Sequence, residues 1–132
     1  MDIEILDEYT TLSTTSNSLQ YFYINDYTTG TGASLDWSAP FTLMFNLINY
    51  TGNCYLYMGD NNYSNVYSKL LSDLGILPNS KVKLTYDSSE IIIFNNDIEV
   101  DRIIKNYDVF RIGFQFKNNS ALSYNLLTIC KR

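Results

Sequence analysis

Apolar and polar positions alternate along this chain in short bursts. Over "FTLMFNLI", residues 41–48, Phe41, Leu43, Phe45 and Leu47 fall on one face of an extended strand and Thr42, Met44, Asn46 and Ile48 on the other, because successive strand side chains point to opposite sides. "KVKLTY", residues 81–86, turns Val82, Leu84 and Tyr86 inward and Lys81, Lys83 and Thr85 outward, and "VFRIGFQF", residues 109–116, sets Phe110, Ile112, Phe114 and Phe116 against Arg111, Gly113 and Gln115. Further extended runs are "IEIL" at 3–6, "LQYFYI" at 19–24, "CYLYM" at 54–58, "IIIFNN" at 91–96, "IEV" at 98–100 and "LLTICK" at 126–131. Between them, "NYTGN" with Gly52 predicts a hairpin joining 41–48 to 54–58, "DSSE" a second hairpin and "NND", residues 95–97, a third. One stretch departs from period two: Val66, Leu70, Leu71 and Leu74 have helical spacing, Gly75 stands where a C-cap falls and Pro78 follows. It predicts one short helix around residues 65–75. Many short strands with polar turns predict an all-β chain, a two-sheet antiparallel β-sandwich, and 132 residues suffice for one such domain, 1–132.

Composition narrows what that sandwich meets. Apolar residues are 45% and charged residues 17%, the balance of a folded chain, and twelve of the aromatics are tyrosines. A net charge of -5 repels a phosphate backbone, so no nucleic acid partner is expected. No run is long enough to span a bilayer, and "MDIEILDEY" lacks the basic-then-apolar pattern of a secretion signal. The expected location is a virion or extracellular surface reached without a signal peptide of its own, with the cytoplasm as the alternative. Cys54 and Cys130 are too few for a disulfide framework and are read as buried free thiols, a bridge requiring their strands to lie side by side. Glycosylation-type triplets at Asn49, Asn62 and Asn118 are what chance provides in an Asn-rich chain.

The order of the pieces resembles the concanavalin A-like or laminin G-like jelly rolls, as found in phage tail receptor-binding proteins and microbial adhesins. The resemblance rests on an early strand "FTLMFNLI", a hairpin "KVKLTYDSSEIIIFNNDIEV", then "FRIGFQF" and a last strand "SYNLLTICKR" ending in basic residues. It covers about residues 35–132 and implies two packed antiparallel sheets. Two departures stand out: "YSNVYSKLLSDLGILPN" replaces the usual strand connection, and Lys81 stands near where the hairpin often opens with tryptophan.

With no histidine anywhere, triad hydrolysis and zinc chemistry are excluded. Relatives of this fold include glycosidases with paired carboxylates, but in "DIEILDE" the acids Asp2, Glu4, Asp7 and Glu8 fall out of step and read as solvated charges on an edge strand. The chain is therefore not expected to be an enzyme. "TTGTG", residues 28–32, lacks the lysine and helix of a phosphate loop and reads as a turn. "GDNNYSN", residues 59–65, gathers Asp60, Asn61 and Asn62 at a strand end. It reads as a polar loop, with calcium, as the resemblance implies, the one cofactor candidate and otherwise none. Tyr21 and Tyr23 share a face of one strand, and Tyr55 and Tyr57 of another. In one sheet they form a ring-bearing surface flanked by Lys83, Arg111 and Gln115, suited to stacking on sugar C–H faces while polar groups bond hydroxyls. Trp37 reads as a core plug. The expected function is a non-catalytic carbohydrate-recognition or adhesion module that binds a glycan or cell-surface polysaccharide. The alternative is a self-assembling structural protein whose tyrosines pack against its own copies, a homo-oligomer such as a trimer.

Overall fold

The computed structural model describes residues 2–5, 9–24, 40–59, 65–87, 89–104 and 111–131. Among these lie nine strands: β1 (Asp2–Ile5), β2 (Thr10–Thr14), β3 (Gln20–Tyr23), β4 (Phe41–Gly59), β5 (Asn65–Leu70), β6 (Ser80–Tyr86), β7 (Glu90–Asn95), β8 (Ile98–Ile104) and β9 (Arg111–Lys131). Every pairing is antiparallel. Trp37, Asp60, Asn61 and Asn62 lie outside the described residues.

Two long strands turn this single ladder into two layers. β4 and β9 pair along nearly their whole length, from Phe41 opposite Lys131 to Gly59 opposite Arg111. Their outer neighbours change midway. The first half of β4 pairs with β6 and the second with β5, while residues 10–14 of β2 meet 120–124 of β9 and β3 meets 113–116. One layer therefore runs β1-β2-β9-β4-β6-β7-β8 and the other β3-β9-β4-β5. The side chains show that the second folds back over the first. Phe45 and Phe114 stand opposite Leu126 and Leu56, many rungs apart, yet their ring centroids are 5.5 Å from each other. This is the antiparallel β-sandwich, its core filled by inward positions from both layers.

The fold-over sits where the sequence reading placed a hairpin. Instead of reversing, 41–48 and 54–58 are successive parts of one strand, and neither pairs with the other. Gly52 does take a positive φ of 78°, as that reading required, but it bends β4 rather than ending it. Opposite, Asn118 and Asn119 of β9 have φ of 59° and 56°, and the register shifts between Leu47 and Asn49 and between Thr51 and Asn53. Such bulges bend a ladder without breaking it. Ser120 locks the bend: its hydroxyl accepts the Asn53 N–H at 2.9 Å and donates to the Lys117 carbonyl. A Cβ on Gly52 would meet that same oxygen at 2.9 Å.

The short helix expected around residues 65–75 is not there. Residues 65–70 form β5, because the second half of β4 offers an open ladder from Tyr55 to Gly59, and pairing overrides local helical spacing. A turn follows, with Leu74 N–H on the Leu70 carbonyl at 3.2 Å and Gly75 at φ 71°. The other hairpins form as read. Asp87 accepts the Ser89 and Glu90 N–H groups at 3.0 Å in the first, and Asn96 and Asp97 hold the paired left-handed conformations of a two-residue turn in the second.

Aromatic rings fill the centre. Phe114 lies 5.4 Å from Tyr124 and 6.1 Å from Phe116, and Phe22 of β3 lies 5.9 Å from Tyr124. Cys54 is a buried free thiol, as expected, and burial pushes it up to about 12, against the bonds to the Ala121 and Thr51 carbonyls, so it stays protonated.

At one edge the layers are clasped by charge. Asp101 of β8 accepts Tyr67 Oη at 2.8 Å and Lys69 Nζ at 2.6 Å, both from β5. Burial raises the Tyr67 hydroxyl, and Asp101 raises it further, so it remains a donor. For Asp101 burial pulls upward, but the bonds from Lys69 and Tyr67 outweigh it and hold the carboxyl below its ordinary value. A carboxyl depressed on folding stabilises the native state above its unfolded value, about 3.9, and loses that contribution as pH falls through the folded one. Asp101→Asn is expected to cost on the order of 1 kcal/mol at pH 7, the exposed Lys69 limiting the pair's worth. That gap from the parent should shrink toward pH 3 when urea unfolding is followed at both pH values.

Candidate functional site

The outer face of the four-stranded layer is built by register. One rung carries Tyr21 of β3, Gln115 of β9, Tyr55 of β4 and Leu70 of β5, and the next carries Tyr23, Gly113, Tyr57 and Ser68. Alternation sends Phe22, Ile112, Phe114, Phe116, Leu56 and Met58 to the core, which leaves these eight positions outward. The tyrosines expected to share a surface do meet. Tyr21 stacks beside Tyr23 at 6.2 Å and 27°, and stands edge-on to Tyr57 at 5.3 Å. Tyr23 and Tyr57 are 6.1 Å apart.

Burial sorts them into a platform and its support. Tyr21 is 41% exposed and Tyr23 and Tyr55 are half-buried, whereas Tyr57 is only 2% exposed beneath its two neighbours. Gly113 makes that closeness possible, since a Cβ there would lie 1.8 Å from the Phe22 carbonyl oxygen. Gln115 is 3% exposed, and Ser68 Oγ donates to its Oε1 across β4. Tyr57 and Gln115 therefore hold the surface in shape, and Tyr21, Tyr23 and Tyr55 present it. Stacked and edge-on rings of this kind keep their faces fixed in advance of any ligand.

The remaining expected site residues divide. The ladder sets Arg111 opposite Gly59 at the start of β9, and its side chain lies outside the described residues. Lys83 does not join the tyrosines. It stands opposite Met44 and Phe94 on the outer face of the seven-stranded layer, its Nζ 4.6 Å from the Phe94 ring centre, with the core between it and the tyrosines. The reason is topological: β6 pairs with the first half of β4 and the tyrosines ride on the second. Asp60, Asn61 and Asn62, the loop where calcium was considered, lie outside the described residues. Two positions escaped the sequence reading. Ser68 was hidden by the helical spacing of its segment. Lys117 continues the outward series Gly113, Gln115 by one more step of two, a signal the period-two pattern already contained.

Carboxylates cluster elsewhere. Arg102 Nη1 meets Glu90 at 2.9 Å and its Nη2 meets Glu99 at 2.6 Å, so these two acids share one guanidinium on the far edge of the other layer. Asp2 and Glu4 lie on β1, the terminal strand of that layer, where edge charges discourage pairing with other sheets. Near the small bend between β4 and β9, Asn49, Tyr50, Thr51, Ala121, Leu122 and Ser123 line a hollow of about 40 Å³, too small for a sugar ring.

No protein-family model matches the chain, and no curated protein sequence does either. Solved structures do. A sialidase superposes with a TM-score of 0.60 at 8% identity over 98% of this chain, which spans 16% of the sialidase. A functionally unknown protein from Saccharomyces cerevisiae gives 0.57 at 10% identity, covering 99% of this chain and 92% of the other. The Emp47p carbohydrate recognition domain gives 0.51 at 10%, covering 97% and 90%. The fold is a concanavalin A-like jelly roll.

Proposed function

We propose that this chain is a non-catalytic carbohydrate-recognition module that binds a glycan on the outer face of its four-stranded layer. The observation that carries the reading is the platform of Tyr21 and Tyr23 resting on Tyr57, pre-positioned and facing outward. Tyrosine rings stack on the C–H faces of pyranoses while their hydroxyls bond the sugar's own. The likeness to a carbohydrate recognition domain supports the reading at the level of fold. The eight outward positions of the two tyrosine rungs carry no carboxylate, which fits a surface that binds without cleaving. In its fuller form the proposal places the module at a virion or cell surface, as a receptor-binding or adhesion domain. Its motivation is the acidic, Asn- and Tyr-rich composition.

Glycan-array screening followed by affinity electrophoresis tests it. The parent chain should be retarded by a polysaccharide, and Tyr21→Ala with Tyr55→Ala should weaken retardation about tenfold or more, since each stacked ring contributes on the order of 1 kcal/mol beyond its buried area. These two rings are chosen because Tyr21 is exposed and Tyr55 only half-buried, both outside the core, so folding survives their loss. An array without hits and unchanged electrophoresis would remove the reading. A second reading, self-assembly, is favoured by one feature: β3 pairs only with β9 among the described residues, and its exposed Tyr21, with the exposed Leu19 just before the strand, lies at that edge. Light scattering separates the two, because an oligomer that hides Tyr21 has no platform left for sugar.

A further inference from the structure

We propose that the tyrosine platform is set from the opposite layer: Asp101 of β8 positions it through β5, the outermost described strand of the platform's own layer. The proposal rests on the carbohydrate reading above and adds to it the residues that hold the site ready.

Among the described residues β5 has one neighbour in the sheet, β4, and the register of that ladder shifts between Met58 and Gly59, beside Tyr67. A bulge leaves a strand free to twist, so the ladder by itself sets the tilt of β5 only loosely at this end. Consecutive side chains set it instead. Tyr67 and Lys69 stand opposite Met58 and Leu56, which are buried in the core, and Ser68 stands opposite Tyr57 on the outward face. Tyr67 and Lys69 thus take the side toward the seven-stranded layer, and both donate to one oxygen there, Asp101 Oδ2, at 2.8 and 2.6 Å. Asp101 Oδ1 accepts the Arg102 N–H at 2.8 Å, which fixes the carboxylate on β8. Among the described ion pairs, only that of Asp101 with Lys69 joins the two layers; Lys81 with Asp97 and Arg102 with Glu90 and Glu99 stay within one.

On the other side of the same short segment, Ser68 Oγ donates to Gln115 Oε1. Gln115 is 3% exposed and occupies the place between Tyr21 and Tyr55 on their rung. A peptide strand cannot shift residues 67 and 69 without shifting 68 between them. When Asp101 lets go, Ser68 moves off, and a buried amide oxygen loses its donor, a cost the side chain escapes by turning to another partner. That turn displaces the rings on either side, and with them the fixed faces on which affinity depends. The coupling therefore runs through touching groups from β8 to the platform.

The test is a double-substitution cycle on the full chain, titrated with cellohexaose, mannohexaose and a galacturonate hexamer. Urea midpoints are measured for every variant, and the Gln115 side-chain amide is followed by nuclear magnetic resonance without sugar. Asp101→Ala and Ser68→Ala should each weaken binding of whichever sugar the parent takes by about threefold to tenfold. The double variant should be no weaker than the more affected single one, because both break the same line, whereas independent sites add. Asp101→Asn, which keeps an acceptor for Tyr67, should fall between Asp101→Ala and the parent. Glu99→Gln cuts an ion pair on the same strand that does not reach β5, and should leave affinity unchanged. In the sugar-free spectra the Gln115 amide signals should move in Asp101→Ala and stay in Glu99→Gln. Parent affinity in Asp101→Ala, additive losses in the double variant, or an unmoved Gln115 amide would each overturn the proposal. A parent chain that takes none of the three sugars counts against the carbohydrate reading, and the sugar-free spectra then decide the positioning role by themselves.

Discussion

Phe114→Ala is expected to lower the stability of the folded chain by about 3–5 kcal/mol, the range for emptying a fully buried aromatic position. Phe114 is completely shielded from solvent and touches Phe45 from the opposite layer, Phe116 from its own strand and Tyr124 from beyond the bend. These neighbours are large rings fixed by their own contacts, so little collapse into the space is available and the cavity remains. Because a domain of this size has about 5–15 kcal/mol in total, the variant stands near the limit of folding at all. Urea titration followed by far-ultraviolet circular dichroism should show a midpoint moved well down with an unchanged slope. Phe114→Leu, which keeps most of the volume, should lose less than half as much. A Phe114→Ala midpoint within experimental scatter of the parent would mean that the two layers do not meet at this ring.

Gly113→Ala should be nearly as damaging for the opposite reason, crowding. The new methyl would sit 1.8 Å from the Phe22 carbonyl oxygen and 2.9 Å from the Tyr23 Cα. These are backbone atoms and cannot swing aside as a side-chain end would, so β3 has to move off β9. Overpacking typically costs about 1–3 kcal/mol, and here the upper end is expected, together with loss of the Tyr21–Tyr23 platform that β3 carries. Hydrogen exchange at residues 20–23 should rise, and saccharide retardation should disappear before global unfolding. Gly75→Ala is the control: nothing lies within 4 Å of its added methyl, and its φ of 71° leaves only the conformational strain of about 1–2 kcal/mol.

Much of this was readable from residue order because strand parity is a local property. Phe41, Leu43, Phe45 and Leu47 are all buried, as are Val82, Leu84 and Tyr86, and both tyrosine pairs share the face their spacing demanded. What escaped was set by partners rather than by neighbours. Gly52 has the backbone of a turn residue, and only the matching bend of Asn118 and Asn119 across the ladder tells that β4 continues. β2 was missed because "TTLST" offers one apolar side chain, Leu12, to the core and draws its order from β9. The helical spacing of 66–74 lost to an open ladder edge. Lys83 was grouped with the tyrosines since parity says which side of a strand a residue takes, but not which of two layers that strand joins. The division between exposed Tyr21 and covered Tyr57 likewise depends on ring packing across three strands.

β4 and β9 belong to both layers, and this governs how the chain reaches its native state. To begin their ladder, residue 41 must find residue 131, and residue 59 must find 111, before any hairpin has a sheet to join. Contacts so distant along the chain make folding slow, in the range of milliseconds to seconds. Once formed, the shared pair leaves no seam between the layers, so the molecule should lose them together, in one step, rather than shedding the tyrosine-bearing layer and keeping the rest.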